Sequence, residues 1–258
     1  KFKNLLSDIL YFNKILLKII LCKIILKKIK SEKFFTIVKT HVYFDKLNEL
    51  NKRDIFFGDL INELKEDNQN VIRIAHFHDS FLLSLLFLRK NNKLEIYPYE
   101  FFISIFDLIY LFLMKFFYSL KINNNKFQNY YLNHLFIDEF NKSGISIGHL
   151  VFYSVAKNLN NKININKIIL TYENIAWENS FIYGIRQYNN KIKIIGYQHT
   201  VVPQAAIGMF ICYLDFNYKP LPDFLLTVGD VNKKIIDYYS QYPKDFVISS
   251  CALRFSQK

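Results

Sequence analysis

The chain has 258 residues, 51% of them hydrophobic and 17% aromatic, and a formal net charge of +12. That is enough apolar material for one large domain or two small ones, and only seven Gly and five Pro exclude a disordered or low-complexity chain. Cys22, Cys212 and Cys251 lie far apart in no metal-ligand spacing, which suits a reducing compartment and excludes a disulfide framework. The abundance of Lys, Asn, Ile, Phe and Tyr matches the codon bias of an A/T-rich genome, so part of the basic charge carries no functional signal.

Residues 1–33 form the first unit, with nine Lys against Asp8 and Glu32. Between the lysines the segment is almost wholly apolar, from Leu5 to Ile29. After Asp8 its longest uncharged run is five residues, far short of the roughly 20 needed to span a bilayer. Nor is there a small-residue cleavage site of a signal peptide. Two readings stand: a Lys-studded helix lying on an anionic membrane face, its lysines reaching back to the headgroups, or a helix packed on its own domain.

Residues 34–258 form the second unit. FFTIVKTHVYF, from Phe34, predicts its first strand. DIFFGDL and a short helix through Leu60, Ile61 and Leu64 come after it, then a strand over Val71–Ala75. His76-Phe77-His78-Asp79 is next, a polar cluster at a strand end. An H-x-H pair can ligate a metal, but no third ligand stands at a recognisable spacing, so no metal is expected. These histidines line a cleft or cap the helix that Asp79 or Ser80 begins. Residues 96–120, interrupted only by Asp107 and Lys115 in their apolar run, predict a helix buried on most sides, or one facing lipid or a further domain. Lys121–Gln128 reads as a surface loop. Gly144–Ala156 reads as a helix leading, through an Asn-rich loop over 158–166, into a strand at Ile168.

Ile168–Tyr197 reads as a complete strand, helix, strand module. Ile168, Ile169 and Leu170 make the apolar run of a buried parallel strand. Trp177, Phe181, Gly184, Ile185 and Tyr188 fall on one helix face, and Asn189-Asn190 ends it. Ile192–Tyr197 is the next strand. Two polar clusters, Tyr172-Glu173-Asn174 with Glu178 and Gln198-His199-Thr200, therefore sit past the carboxyl ends of neighbouring strands, where ligands bind in open α/β sheets. After an irregular stretch, Pro203–Pro222, in which Phe210–Tyr213 is a strand or loop insert, Phe224–Val228 is a strand. Val231–Tyr239 is then a helix and Phe246–Ile248 a strand. Such alternation predicts an α/β fold, a Rossmann-like parallel sheet with helices on both faces.

Five local motifs carry a resemblance: YENIAWE, GYQHT with Pro203, PLPD, TVGD before a helix ending at Tyr242-Pro243, and the strand leading to CALR. With DIFFGDL, they resemble bacterial surface carbohydrate biosynthesis glycosyltransferases of the GT-B class. These are related in fold to enzymes that transfer 3-deoxy-octulosonic acid or sialic acid from CMP-activated donors to lipopolysaccharide or capsule. The resemblance covers residues 34–254 and is more specific to the family than to one sugar. It implies the amino-terminal, acceptor-side domain of a two-domain enzyme, whose carboxy-terminal donor domain lies beyond this sequence. A start at Lys1 and a stop soon after a strand fit such a part.

The chemistry agrees with that expectation. Glycosyl transfer passes through an oxocarbenium-like state and needs a carboxylate at the anomeric carbon or a base on the acceptor hydroxyl. Glu173, just past a strand, is the first choice, with His199 and Glu178 as further catalytic candidates. For Glu178, a first-turn acid favoured by the helix dipole is an equal alternative. Tyr172, Asn174, Gln198, Thr200, His76 and His78 are candidates for substrate binding. Trp177 either stacks on a sugar or fills the core, and Gly229-Asp230 reads as a turn and cap. No GxGxxG or P-loop motif is present, and no cofactor is expected. The expected partners are a nucleotide sugar donor, a lipid-linked or polysaccharide acceptor and an anionic membrane surface. The expected place is the inner face of the cytoplasmic membrane. The alternative is a non-catalytic, membrane-peripheral module that binds an anionic glycolipid or a protein. Nucleic acid is not an expected partner, because the charge sits on one segment and forms no basic stripe.

Overall fold

A computed structural model describes residues 2–29, 32–49, 53–117, 126–127, 130–131, 146–202 and 207–255. Seven strands make one sheet: β1 (Phe34–Val42), β2 (Asn70–Phe77), β3 (Ile96–Pro98), β4 (Asn164–Thr171), β5 (Lys193–Gln198), β6 (Phe224–Val228) and β7 (Val247–Ser250). Every neighbouring pair is parallel, in the order β3-β2-β1-β4-β5-β6-β7. The first six follow the order of dinucleotide-binding Rossmann folds, with a topological switch point between β1 and β4. Lys126–Phe127 and Tyr130–Tyr131 form a separate antiparallel pair.

Among the described residues, seven helices of seven residues or more surround the sheet: α1 (Phe2–Ile25), α2 (Leu60–Glu66), α3 (Phe81–Lys90), α4 (Ile105–Phe117), α5 (Ile147–Lys162), α6 (Ala176–Tyr188) and α7 (Gly229–Tyr239). The strand period of two sorts the core. Phe35, Ile37, Ile72, Ile74, Ile168 and Leu170 point to one face, where Ile15 and Ile19 of α1, Val151 and Val155 of α5, and Phe181 and Ile185 of α6 cover them. Val38, Val71 and Ile169 point to the other, against Phe57 and against Ile61 and Leu64 of α2.

The strand, helix, strand module forms as expected. Gly184 lets its helix lie close on α5: a Cβ there would stand 2.7 Å from Ala156 Cβ and 2.9 Å from the Tyr153 carbonyl oxygen. Two expectations need correction. Residues 96–117 are not one helix. Ile96 and Tyr97 pair with Arg73 and Ile74 as the edge strand β3, Tyr99–Phe102 is a 3-10 turn, and only then does α4 begin. Pro98 has no N–H for a continuing ladder, and the turn is pinned where the buried Glu100 carboxylate meets Lys18 of α1 at 2.8 Å.

The Asn-rich stretch is helical to Lys162. Asn158 donates to Asp107 of α4 at 2.7 Å and Asn160 donates to the Ala156 carbonyl at 3.1 Å, contacts that override the loop preference of asparagine. Of the two readings of Phe210–Tyr213, strand or loop insert, the structure shows the loop. Pro203, Gly144 and the predicted loop Lys121–Gln128, apart from Lys126–Phe127, lie outside the described residues.

The amino-terminal helix packs on the domain and also keeps an open apolar side. Ile15, Ile19 and Cys22 are buried, while Leu6, Leu10, Leu17 and Ile24 are exposed. Beside it on α4, Phe106 and Phe117 are 84% and 83% exposed, and Phe12 packs on Phe112 at 4.8 Å between ring centroids. Among the described residues no helix is long and apolar enough to cross a membrane.

Candidate functional site

The site grows from the switch point, where the carboxyl ends of β1, β2, β4 and β5 meet. β1 carries Lys39 and His41 on the same alternation as Phe35 and Ile37, so a buried face turns polar as it reaches the crevice. His41 lies in register with His76 of β2. Their rings stack at 5.5 Å, and His78, one residue past β2, stacks on His76 at 4.8 Å. His41 Nδ1 meets His78 Nε2 at 2.9 Å. Only one of these two nitrogens can carry the shared proton, so the ring that accepts is neutral.

Burial, then the nearby Lys39 ammonium, pushes the pKa of His41 down to about 2 and that of His76 to about 3. His78 is lowered for the same two reasons, against the opposing Asp79 carboxylate. The three imidazoles are therefore uncharged hydrogen-bonding groups at neutral pH. They do not cap α3: Asp79 instead accepts the Phe44 N–H at 2.8 Å, and the Ser80 side chain makes no cap bond.

Lys39 is wholly buried, its ammonium 4.7 Å from the Trp177 ring and 5.5 Å from that of Phe152. Burial lowers its pKa to about 7, although the Glu100 and Glu178 carboxylates oppose the shift. Trp177 packs on Phe152 at 5.0 Å and meets the His41 ring at 6.2 Å in a T-shaped contact.

Across the crevice, Glu173 and His199 come together from the loops after β4 and β5, with Glu173 Oε1 3.9 Å from His199 Nε2. The Glu173 side chain is 44% exposed and that of His199 12%. Phe56 meets the His199 ring edge-on at 4.6 Å. Burial lowers the His199 pKa; Glu173 opposes that and Arg254 adds to it. Among the described residues, the buried Nδ1 of His199 has no hydrogen-bond partner. A neutral imidazole beside an accessible carboxylate is an arrangement for moving a proton.

The other predicted residues have different surroundings. Glu178 is buried and closes the loop before α6: Oε2 accepts the N–H groups of Glu173 at 2.9 Å and Ile175 at 3.0 Å. Burial raises its pKa to about 8, opposed by those same amides. Its carboxylate is committed to the helix start. Tyr172 is wholly buried and donates to Asn174 Oδ1 at 3.1 Å. Asn174 has φ of 57° and donates to the Gly208 carbonyl at 2.6 Å. These two shape the loop that presents Glu173. Gln198 is buried, its Oε1 accepting the Val228 N–H at 3.4 Å while its Nε2 finds no partner. Thr200 is exposed at the rim and donates to the Val201 carbonyl.

Of the expected residues, Glu173, His199, His76 and His78 therefore face the same end of the sheet. Lys39, His41 and Phe56 were not anticipated. A Lys and a His interrupting the buried face of a strand were the available signal. Among the described residues, no group of three or more His, Cys, Asp or Glu has the geometry to hold a metal ion. No family model, curated protein or solved structure matches this chain.

Proposed function

We propose that the chain is the acceptor-side part of a glycosyltransferase that moves a sugar from a nucleotide-activated donor, a CMP-sugar by preference, onto a lipid-linked or polysaccharide acceptor. The observation that carries this reading is the Glu173–His199 pair at the open end of a switch-point crevice. In it, Glu173 takes the proton of the acceptor hydroxyl, directly or through His199, as the hydroxyl attacks the anomeric carbon and the nucleotide leaves. The neutral His76 and His78 give and accept hydrogen bonds with sugar hydroxyls at no cost in buried charge. The exposed apolar sides of α1 and α4, flanked by Lys14, Lys23 and Lys27, suit a place on an anionic membrane surface, where a lipid-linked acceptor would reside.

The test is nucleotide release from CMP- and UDP-sugars with lipid-linked acceptors, together with saturation-transfer NMR of acceptor saccharides on the purified chain. Glu173→Gln is expected to lower release at least 100-fold while acceptor binding persists. Unchanged release in that variant, or no saccharide binding at all by the wild-type chain, would sink the proposal.

A further inference from the structure

On the flank of the histidine cluster a cavity of about 360 Å³ opens between α1 and α3. Tyr11, Lys14, Ile15 and Lys18 of α1 form one wall. Ser80 and Phe81 at the start of α3 form another, and His76, His78 and Tyr99 line the rest. Lys14 and Lys18 are the cations of this lining and Asp79 its carboxylate. Lys18 is taken by Glu100, at 2.8 Å, but Lys14 makes no ion pair among the described residues. Asp79 at the mouth already accepts an amide proton from Phe44. Lys14 and Lys18 both help to hold His76 uncharged, so their field reaches the cavity interior.

The start of α3 adds donors. Ser80 has φ of 39° and its side chain does not cap the helix, so its hydroxyl does not occupy the first-turn amides at the positive end of the helix dipole. An ammonium without an ion pair, a second one anchored beside it, neutral imidazoles and the start of a helix around one small-molecule-sized volume offer the donors that phosphate oxygens accept from.

We propose that this cavity seats a phosphate ester, with Lys14 and Lys18 on its oxygens and the start of α3 behind them. The volume exceeds that of a phosphate group alone and leaves room for a polyol such as glycerol or a sugar. The ester is either a soluble phosphate or the headgroup of a lipid. This site does not depend on glycosyl transfer, and its test is a binding measurement.

Isothermal titration with sn-glycerol 3-phosphate would be paired with sedimentation on phosphatidylcholine vesicles containing phosphatidic acid or, at matched surface potential, phosphatidylglycerol. The variants are Lys14→Gln, an exposed position that leaves the fold intact, and Lys18→Gln combined with Glu100→Gln, which avoids stranding a buried charge. A wild-type chain that binds glycerol phosphate at least tenfold more tightly than either variant supports the site with a soluble ester. A preference for phosphatidic acid that both variants lose supports it with a lipid headgroup. Affinities that are equal or undetectable in all three proteins, with no vesicle preference that the variants change, overturn it. Phe106→Ser serves as the control: it weakens attachment to any vesicle and leaves glycerol phosphate binding unchanged.

Discussion

Lys39 is the residue whose chemistry reaches furthest. A lysine in an ordinary environment titrates near 10.5, and here burial brings it to about 7. Because its folded pKa lies below the unfolded one, the folded chain holds fewer protons between those values. The stabilising contribution is thus complete above pH 10.5 and lost as pH falls through 7. In urea unfolding, the stability of the wild type relative to Lys39→Met is therefore expected to rise between pH 7 and 10.5; a difference that does not change with pH would show that Lys39 is not buried as an ammonium. The same variant removes the cation that acts on His41, His76 and His78. Their C2 proton resonances should then titrate closer to pH 6.5; an unchanged histidine titration would show that burial alone keeps them neutral. The sequence pattern offered Lys39 and His41 only as polar interruptions of a strand. The run FFTIVKTHV identifies a strand, but which of its residues face a crevice depends on the strands beside it.

Among the elements, the crossing of α5 and α6 fixes the loop that carries Glu173. The two helices approach at Gly184 with no room for a methyl group. Gly184→Ala should force them apart at a cost of about 1–3 kcal/mol, lowering the melting temperature by roughly 5 °C. A melting temperature equal to or above that of the wild type would show that the helices can slide without loss. Glu178 belongs to the same element. Both readings of it were open in the sequence, because a carboxylate three residues into a helix serves the dipole as well as it serves catalysis. Its bonds to the Glu173 and Ile175 amides show what it does in the fold. The helix expected to start at Ile96 has the same lesson in reverse. Hydrophobicity marks burial, and only the pairing with β2 distinguishes a short edge strand from the first turn of a helix.

Among the described residues, the neighbouring helices α1 and α4 leave several apolar side chains open. Leu6, Leu10 and Leu17 of α1 and Phe106, Tyr110 and Phe117 of α4 are all exposed on packed neighbouring helices. An apolar area of that kind marks a surface meant for something other than water. Replacing Phe106 and Phe117 together by Ser should reduce partition onto anionic vesicles on the order of 100-fold, given about 1.5–3 kcal/mol for each buried Phe. Because both rings stand in solvent, the unfolding free energy should change by less than about 0.5 kcal/mol. Equal sedimentation of variant and wild type would remove the membrane from the account of this face.

Local periodicity along the chain was enough to establish the alternation of strands and helices after residue 163, the α/β class, and the two loops that present Glu173 and His199. Parallel strands end in connected loops at one edge, so once the strands are recognised the loops have a place. That β1 lies between β2 and β4 is a different kind of fact, known from the assembled sheet alone. It is why His41, His76 and His78 stand across from Glu173 and why a cavity forms between α1 and α3. The order of strands in a sheet is set by contacts between residues far apart in the chain. A pattern that repeats every two or every 3.6 residues has no memory of them.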